Sequence, residues 1–111
     1  MTDEQLLTAI ATQDADAFGE FFTRLKPQVI RHLTRIGRDA VVAEDLAQDV
    51  FFRVWEGANQ WSGKGTAGSW VRTIATNFAL NHLRTVKRRR EQPLDPGPDP
   101  YSEDDETLAP S

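Results

Sequence analysis

Apolar residues recur along most of this chain at spacings of three and four, the period of helices that each bury one stripe. Leu6, Leu7, Ile10 and Ala11 form the first such face, which opens at Thr2 with Gln5 three residues on to complete a capping box. Asp14 is a suitable N-cap for a second helix, whose apolar positions are Phe18, Phe21, Phe22, Leu25, Val29, Leu33 and Ile36. Pro27 falls inside that run and predicts a kink or a fresh helix start, because proline has no N–H and its ring crowds the preceding turn. Gly37 is the expected C′ residue ending it. Asp39 then caps a third helix with Ala43, Leu46, Ala47, Val50 and Val54 facing inward, running to Trp55 or Glu56. NQWSGKGTAG, residues 59–68, contains three glycines and reads as a loop, after which Thr66 or Ser69 caps a fourth helix from about Trp70 to Arg89. No stretch shows the period of two that marks a strand. The predicted fold class is all-α, a compact bundle of about four helices.

The pattern stops at residue 90. EQPLDPGPDPYSEDDETLAPS, residues 91–111, holds five of the six prolines and almost nothing apolar, so it cannot bury enough surface to offset its ordering entropy. The expected organisation is a helical domain over 1–90 and a disordered, acidic, proline-rich linker or tail over 91–111.

Composition narrows the class. At 111 residues and 39% apolar, the chain suits one small domain. It has no cysteine, which excludes disulfides and thiolate metal sites. The opening MTDEQLLTAIATQDADAF has no basic flank before a sustained apolar run, so neither a signal peptide nor a membrane span is expected, and the default location is cytoplasmic. The net charge of −4 averages two unlike segments. All 13 Lys and Arg lie within 1–90 against 10 Asp and Glu, whereas 91–111 carries the other 7 acids and no base. Arg84, Lys87, Arg88, Arg89 and Arg90 close the helical part. A basic helix end followed by an acidic tail points to a polyanion partner with a self-masking segment, or to basic residues placed at the negative end of a helix dipole.

Two faces carry candidate chemistry. On the third helix Asp45, Asp49, Phe52 and Glu56 share one side, flanked by Glu44 and Gln48. An exposed ring among carboxylates fits a protein contact; the same pattern is also that of an acidic solvated face with Phe52 at its edge. On the fourth helix Asn77, Asn81, Arg84 and Arg88 share a stripe whose amides and guanidinium groups suit base edges and phosphates. Trp61 and Lys64 lie in the glycine-rich loop, where an aromatic can stack an unpaired base or fold into the core; Trp70, at a helix start, is read as core. His32 and His82 are alone on separate helices, and Asp45 with Asp49 lacks a third carboxylate from a second helix, so no metal, cofactor or catalytic site is expected and an enzyme is set aside.

With these faces located, the chain resembles the extracytoplasmic-function group of bacterial sigma factors, over about residues 4–90. AEDLAQDVFFRVW, residues 43–55, is similar to the family's polymerase-binding helix. LLTAIATQDADAFGEFFTRLKPQV resembles its first two helices, and SWVRTIATNFALNHLR, residues 69–84, its promoter-recognition helix, with a tryptophan, Ile-Ala-x-Asn and Leu-Arg in order. The resemblance implies a domain that binds core RNA polymerase, on the clamp coiled coil of the largest subunit, through Asp45, Gln48, Asp49, Phe52 and Arg53. It implies that the domain melts the promoter minus-ten element by capturing a flipped non-template base. Trp61, Trp70, Ile74 and Asn77 match the capture positions, with Lys64 and Asn81 beside them and Arg84, Lys87 and Arg88 on backbone phosphates. An anti-sigma factor is a further implied partner.

This sequence departs from the family at Ala67, where an aromatic is usual, and at Asn81, where aspartate is usual. The family's second domain, which reads the minus-thirty-five element, has no counterpart here, so a fragment of a longer protein is expected, with a natural one-domain protein as the alternative. The competing function is a sigma-like module that binds polymerase or an anti-sigma factor without specifying DNA.

Overall fold

The computed structural model describes residues 1–91. Four α-helices, α1 (Asp3–Ile10), α2 (Ala15–Gly37), α3 (Ala40–Gly57) and α4 (Ala67–Glu91), pack into a bundle, with one turn of 3₁₀ helix (Ala58–Gln60) after α3. No strand occurs among the described residues. The tail expected over 91–111 lies outside the described residues, except for Glu91, which is the last residue of α4.

Local chemistry sets the helix starts. Thr2 accepts the N–H of Gln5 while the Gln5 side chain accepts the N–H of Thr2, a closed capping box. Asp14 accepts from Ala17 N at 3.0 Å, and Asp39 accepts from Val41 N and Val42 N. Of the two candidates for α4, Thr66 is the cap, accepting from Ser69 N at 3.1 Å, so the helix begins three residues before Trp70.

Two expectations about α2 are corrected. Of the kink or fresh helix start expected at Pro27, no fresh start occurs: α2 is continuous through it. A proline in a helix interior, through its missing hydrogen bond and its ring's clash with the preceding turn, costs about 3 kcal/mol, and burial of Phe21, Leu25, Val29 and Leu33 on both sides of it outweighs this. Nor does Gly37 take the left-handed position; it is the last helical residue, and Arg38 holds φ 59°, ψ 34°, donating its N–H to Thr34 O at 2.6 Å.

The core joins Leu6, Leu7 and Ile10 of α1 to the α2 stripe and to Ala43, Ala47, Val50, Phe51 and Val54 of α3. Leu46, expected inside, is only half-buried, whereas Phe51 is 2% exposed. Phe51 meets the Phe22 ring edge-on at 4.9 Å, and Phe18 meets Trp55 edge-on at 5.4 Å. From α4 the buried residues are Ala67, Val71, Ala75 and Ala79, one every four. Such a line of small side chains lets α4 lie close against α2 and α3, with Trp70, Ile74 and Phe78 packed at its margins.

Candidate nucleic-acid and protein interfaces

Because α4 is one unbroken helix, Trp70, Ile74, Asn77, Asn81, Arg84 and Arg88, spaced alternately four and three apart, share one face. At 1.5 Å per residue this stripe is about 27 Å long. It changes character along its length. Trp70 and Ile74 are half-buried against the core, while Asn77, Asn81, Arg84 and Arg88 are exposed. The Arg84 guanidinium donates to Asn81 Oδ1, which holds two polar heads of the stripe together. Lys87 is also exposed, and α4 carries no acid before Glu91.

The loop before α4 turns on Gly63 (φ 85°) and Gly65 (φ 74°), left-handed positions that place Lys64 at an exposed tip between them. Trp61 is not a free loop aromatic. Its ring is half-buried against the core, and its Nε1 is buried without a hydrogen-bond partner. The two readings left open for Trp61 thus resolve toward packing, with part of the ring still accessible. Trp70 packs as expected.

The face of α3 is opposite in character. Glu44, Asp45, Gln48, Asp49, Phe52, Arg53 and Glu56 are all exposed, and Phe52 stands 63% open. None of these carboxylates forms an ion pair among the described residues. Unpaired acids around an open ring leave this face free to receive a basic partner. The Arg53 guanidinium folds back along the helix toward Gly57, where a Cβ would lie 3.1 Å from Nη1.

Sequence reasoning missed a third feature, a groove between α2 and α4. Arg31, His32 and Arg35 line it from α2, with Arg72, Thr76 and Asn77 from α4. His32 Nε2 lies 2.8 Å from Thr76 Oγ1, and its Nδ1 is buried and unpartnered. Burial pushes the imidazole below its ordinary pKa, and the charges of Arg35 and Arg72 press it the same way. The four-residue step from Arg31 to Arg35 was visible in the sequence; its apposition to Arg72, on another helix, was not. Among the described residues no group of three His, Asp or Glu side chains converges, and no helix is long and apolar enough to cross a membrane.

The family pattern described as Sigma-70 region 2 matches residues 21–90. The extracytoplasmic-function RNA polymerase sigma factor SigK of Mycolicibacterium vanbaalenii is 34% identical over 83 residues, covering 74% of this chain and 42% of that protein. SigK of Mycobacterium tuberculosis is 33% identical over 82 residues, covering 73% and 44%. The chain thus spans less than half the length of these relatives. A solved structure of an engineered region 2 of sigmaE in complex with GTAAAA aligns with a TM-score of 0.74 at 24% identity, covering 83% of this chain and 96% of that one, which establishes the shared fold. The chain belongs to the sigma-70 region 2 family, and its relatives place it among the extracytoplasmic-function sigma factors.

Proposed function

We propose that this domain binds core RNA polymerase through α3 and recognises and melts the promoter minus-ten element through α4, without enzymatic activity of its own. The observation that carries the reading is the continuous α4 stripe, which passes from half-buried apolar residues to amides to guanidinium groups on one exposed face. That order matches the demands of strand capture. An extruded base is held against an apolar wall, its edge is read by an amide, and the flanking phosphates are neutralised.

In this reading the accessible part of Trp61, with Trp70 and Ile74, forms the wall. Asn77 reads the base, Asn81 and Lys64 flank it, and Arg84, Lys87 and Arg88 hold the backbone. Stacking of one base on an aromatic is worth about 1–3 kcal/mol, returning part of the cost of unpairing it. On α3, Phe52 anchors the clamp coiled coil of the largest polymerase subunit, while Asp45, Asp49, Gln48 and Arg53 set its orientation. An anti-sigma factor that covers either face would silence the domain.

The test is binding of short single-stranded DNAs with varied minus-ten-like sequences, alone and with the clamp coiled coil. Sequence-selective binding that is lost in Asn77→Ala, with clamp binding intact, is the expected result. Clamp binding without any DNA selectivity would leave a docking module and overturn the promoter-reading role.

A further inference from the structure

The loop between the 3₁₀ turn and α4 carries Trp61 and Lys64, yet little inside it fixes its shape. Gly63 and Gly65 hold left-handed backbone, and the bond from Lys64 N–H to Ser62 Oγ, at 3.2 Å, is the one side-chain tie within residues 61–65. The place of such a loop is set by its two ends, and both ends rest on α1. At the near end Ala58 of the 3₁₀ turn is buried in one core with Leu6, Leu7 and Ile10. At the far end Ala67 is buried too, and its N–H donates to the Glu4 carboxylate at 2.8 Å.

The anchor itself is firm. Arg24 of α2 ties down the start of α1, donating to Met1 O at 2.7 Å and to Asp3 Oδ1 at 3.2 Å. Glu4 stands in the first turn of α1 and reaches the first turn of α4, so the positive ends of two helices converge on one carboxylate. Its side chain bonds nothing but Ala67 N–H among the described residues. The first N–H groups of any helix lack a partner within it, and a free end frays. Here Glu4 takes Ala67 N–H and Thr66 Oγ1 takes Ser69 N–H, while Trp70 N–H closes the first helical bond on Thr66 O at 3.2 Å. Fraying of this turn would therefore reach Trp70 and the root of the loop together.

We propose that Glu4 is a positioning residue for base selection: by tying Ala67 to α1 it holds the Trp61 loop in register with Trp70, Ile74 and Asn77. The inference rests on the promoter-reading function and deepens it, since it assigns specificity to a residue of α1 that touches no DNA. A site that discriminates bases through an amide works only while its walls stay within a fraction of an ångström of the productive geometry. Charge and position predict opposite results here. Removing an acid near a DNA-binding loop favours every strand alike, whereas releasing the loop penalises the preferred strand alone.

The experiment measures fluorescence anisotropy of the full chain with the minus-ten-like single strand it prefers and with strands changed at one base, across a salt series. Glu4→Asp keeps the charge but shortens the reach, and Glu4→Gln keeps the reach but loses the charge. Asp14→Ala removes the cap of α2 and serves as a destabilised control far from the loop in sequence. Circular dichroism checks that each variant folds. Glu4→Asp should lower the ratio of preferred to changed-strand affinity by about 3–10-fold, the worth of one misaligned hydrogen bond. Its salt slope, which counts phosphate contacts, should not change. Glu4→Gln should keep most of the ratio and Asp14→Ala all of it. Amide exchange over residues 62–68 should quicken in Glu4→Asp and not in Asp14→Ala.

A wild-type ratio in Glu4→Asp, with Asn77→Ala still erasing selectivity, would overturn the positioning role and leave promoter reading intact. So would equal loss in Glu4→Asp and Asp14→Ala, which would trace the effect to global stability. If Glu4→Gln instead tightens binding to all strands alike while Glu4→Asp matches the wild type, the carboxylate acts by charge alone and the proposal fails. Absence of sequence selectivity in the wild type would sink promoter reading and the role of Glu4 together.

Discussion

The carboxylate of Glu4, in the first turn of α1, accepts the backbone N–H of Ala67 at 2.8 Å, so the first helix helps to cap the last. Thr66 supplies the local half of that cap through Ser69 N, and Glu4 brings negative charge to the positive end of the α4 dipole from 63 positions away. The contact fixes the point at which α4 leaves the loop, one turn before Trp70.

Glu4→Ala should therefore lower stability by about 1 kcal/mol and speed hydrogen exchange at the Ala67 amide. Glu4→Gln, which keeps an acceptor oxygen but loses the charge, should cost less. Urea unfolding with amide exchange measures both. Equal behaviour of all three proteins would mean that water replaces the carboxylate without loss.

Phe51 and Phe52 are chain neighbours with opposite fates, 2% and 63% exposed. Phe51→Ala should cost about 3–5 kcal/mol, because it opens a cavity beneath Phe22. Phe52→Ala should stay within about 0.5 kcal/mol of the wild type yet weaken binding to the polymerase clamp coiled coil. Paired denaturation and clamp-binding titrations decide this. A Phe52→Ala protein that binds the clamp normally would remove the anchor role of that ring.

His32 should make stability pH-dependent. Its folded pKa is depressed by burial, then by Arg35 and Arg72, so the folded chain holds the proton less readily than the unfolded one. Its contribution is fully present above the unfolded value of about 6.5 and is lost as pH falls through the lower folded value. The urea midpoint of the wild type should decline from about pH 7 to about pH 5.5, and His32→Gln should flatten that decline. Parallel curves for the two proteins would show that the imidazole is not the titrating group.

Residues 91–111 carry seven acids and no base, directly after the basic end of α4. Deleting them should tighten nonspecific DNA binding at low salt, with the difference shrinking as screening shortens the reach of those charges. Gel-shift titrations over a salt series test this; equal affinity at low salt would exclude self-masking.

Much of this protein was legible along the chain. The starts at Thr2, Asp14 and Asp39 are decided by side chains bonding to backbone two or three residues away, and such local contacts are encoded by spacing alone. The exposed stripe from Asn77 to Arg88 and the acidic face of α3 follow from helical periodicity for the same reason. The family motifs add their order along the chain.

Other features required the helices to be brought together. Pro27 is carried inside α2 because packing on both sides outweighs a local defect, a balance that propensity cannot weigh. Arg38 rather than Gly37 takes the left-handed turn, with its N–H on Thr34 O, a choice that local propensity argues against. Phe51, absent from the inward face read off the sequence, joins the core against Phe22 of the neighbouring helix. Trp61 lies in a glycine-rich segment that permits either stacking or packing, and the core beneath it decided for packing.

The Glu4 cap and the Arg31, Arg35 and Arg72 groove join residues tens of positions apart. The sequence alone determined the helices and the chemistry each presents, because those depend on near neighbours. Only the tertiary structure decided which faces meet, because that depends on burial and charge summed across several helices at once.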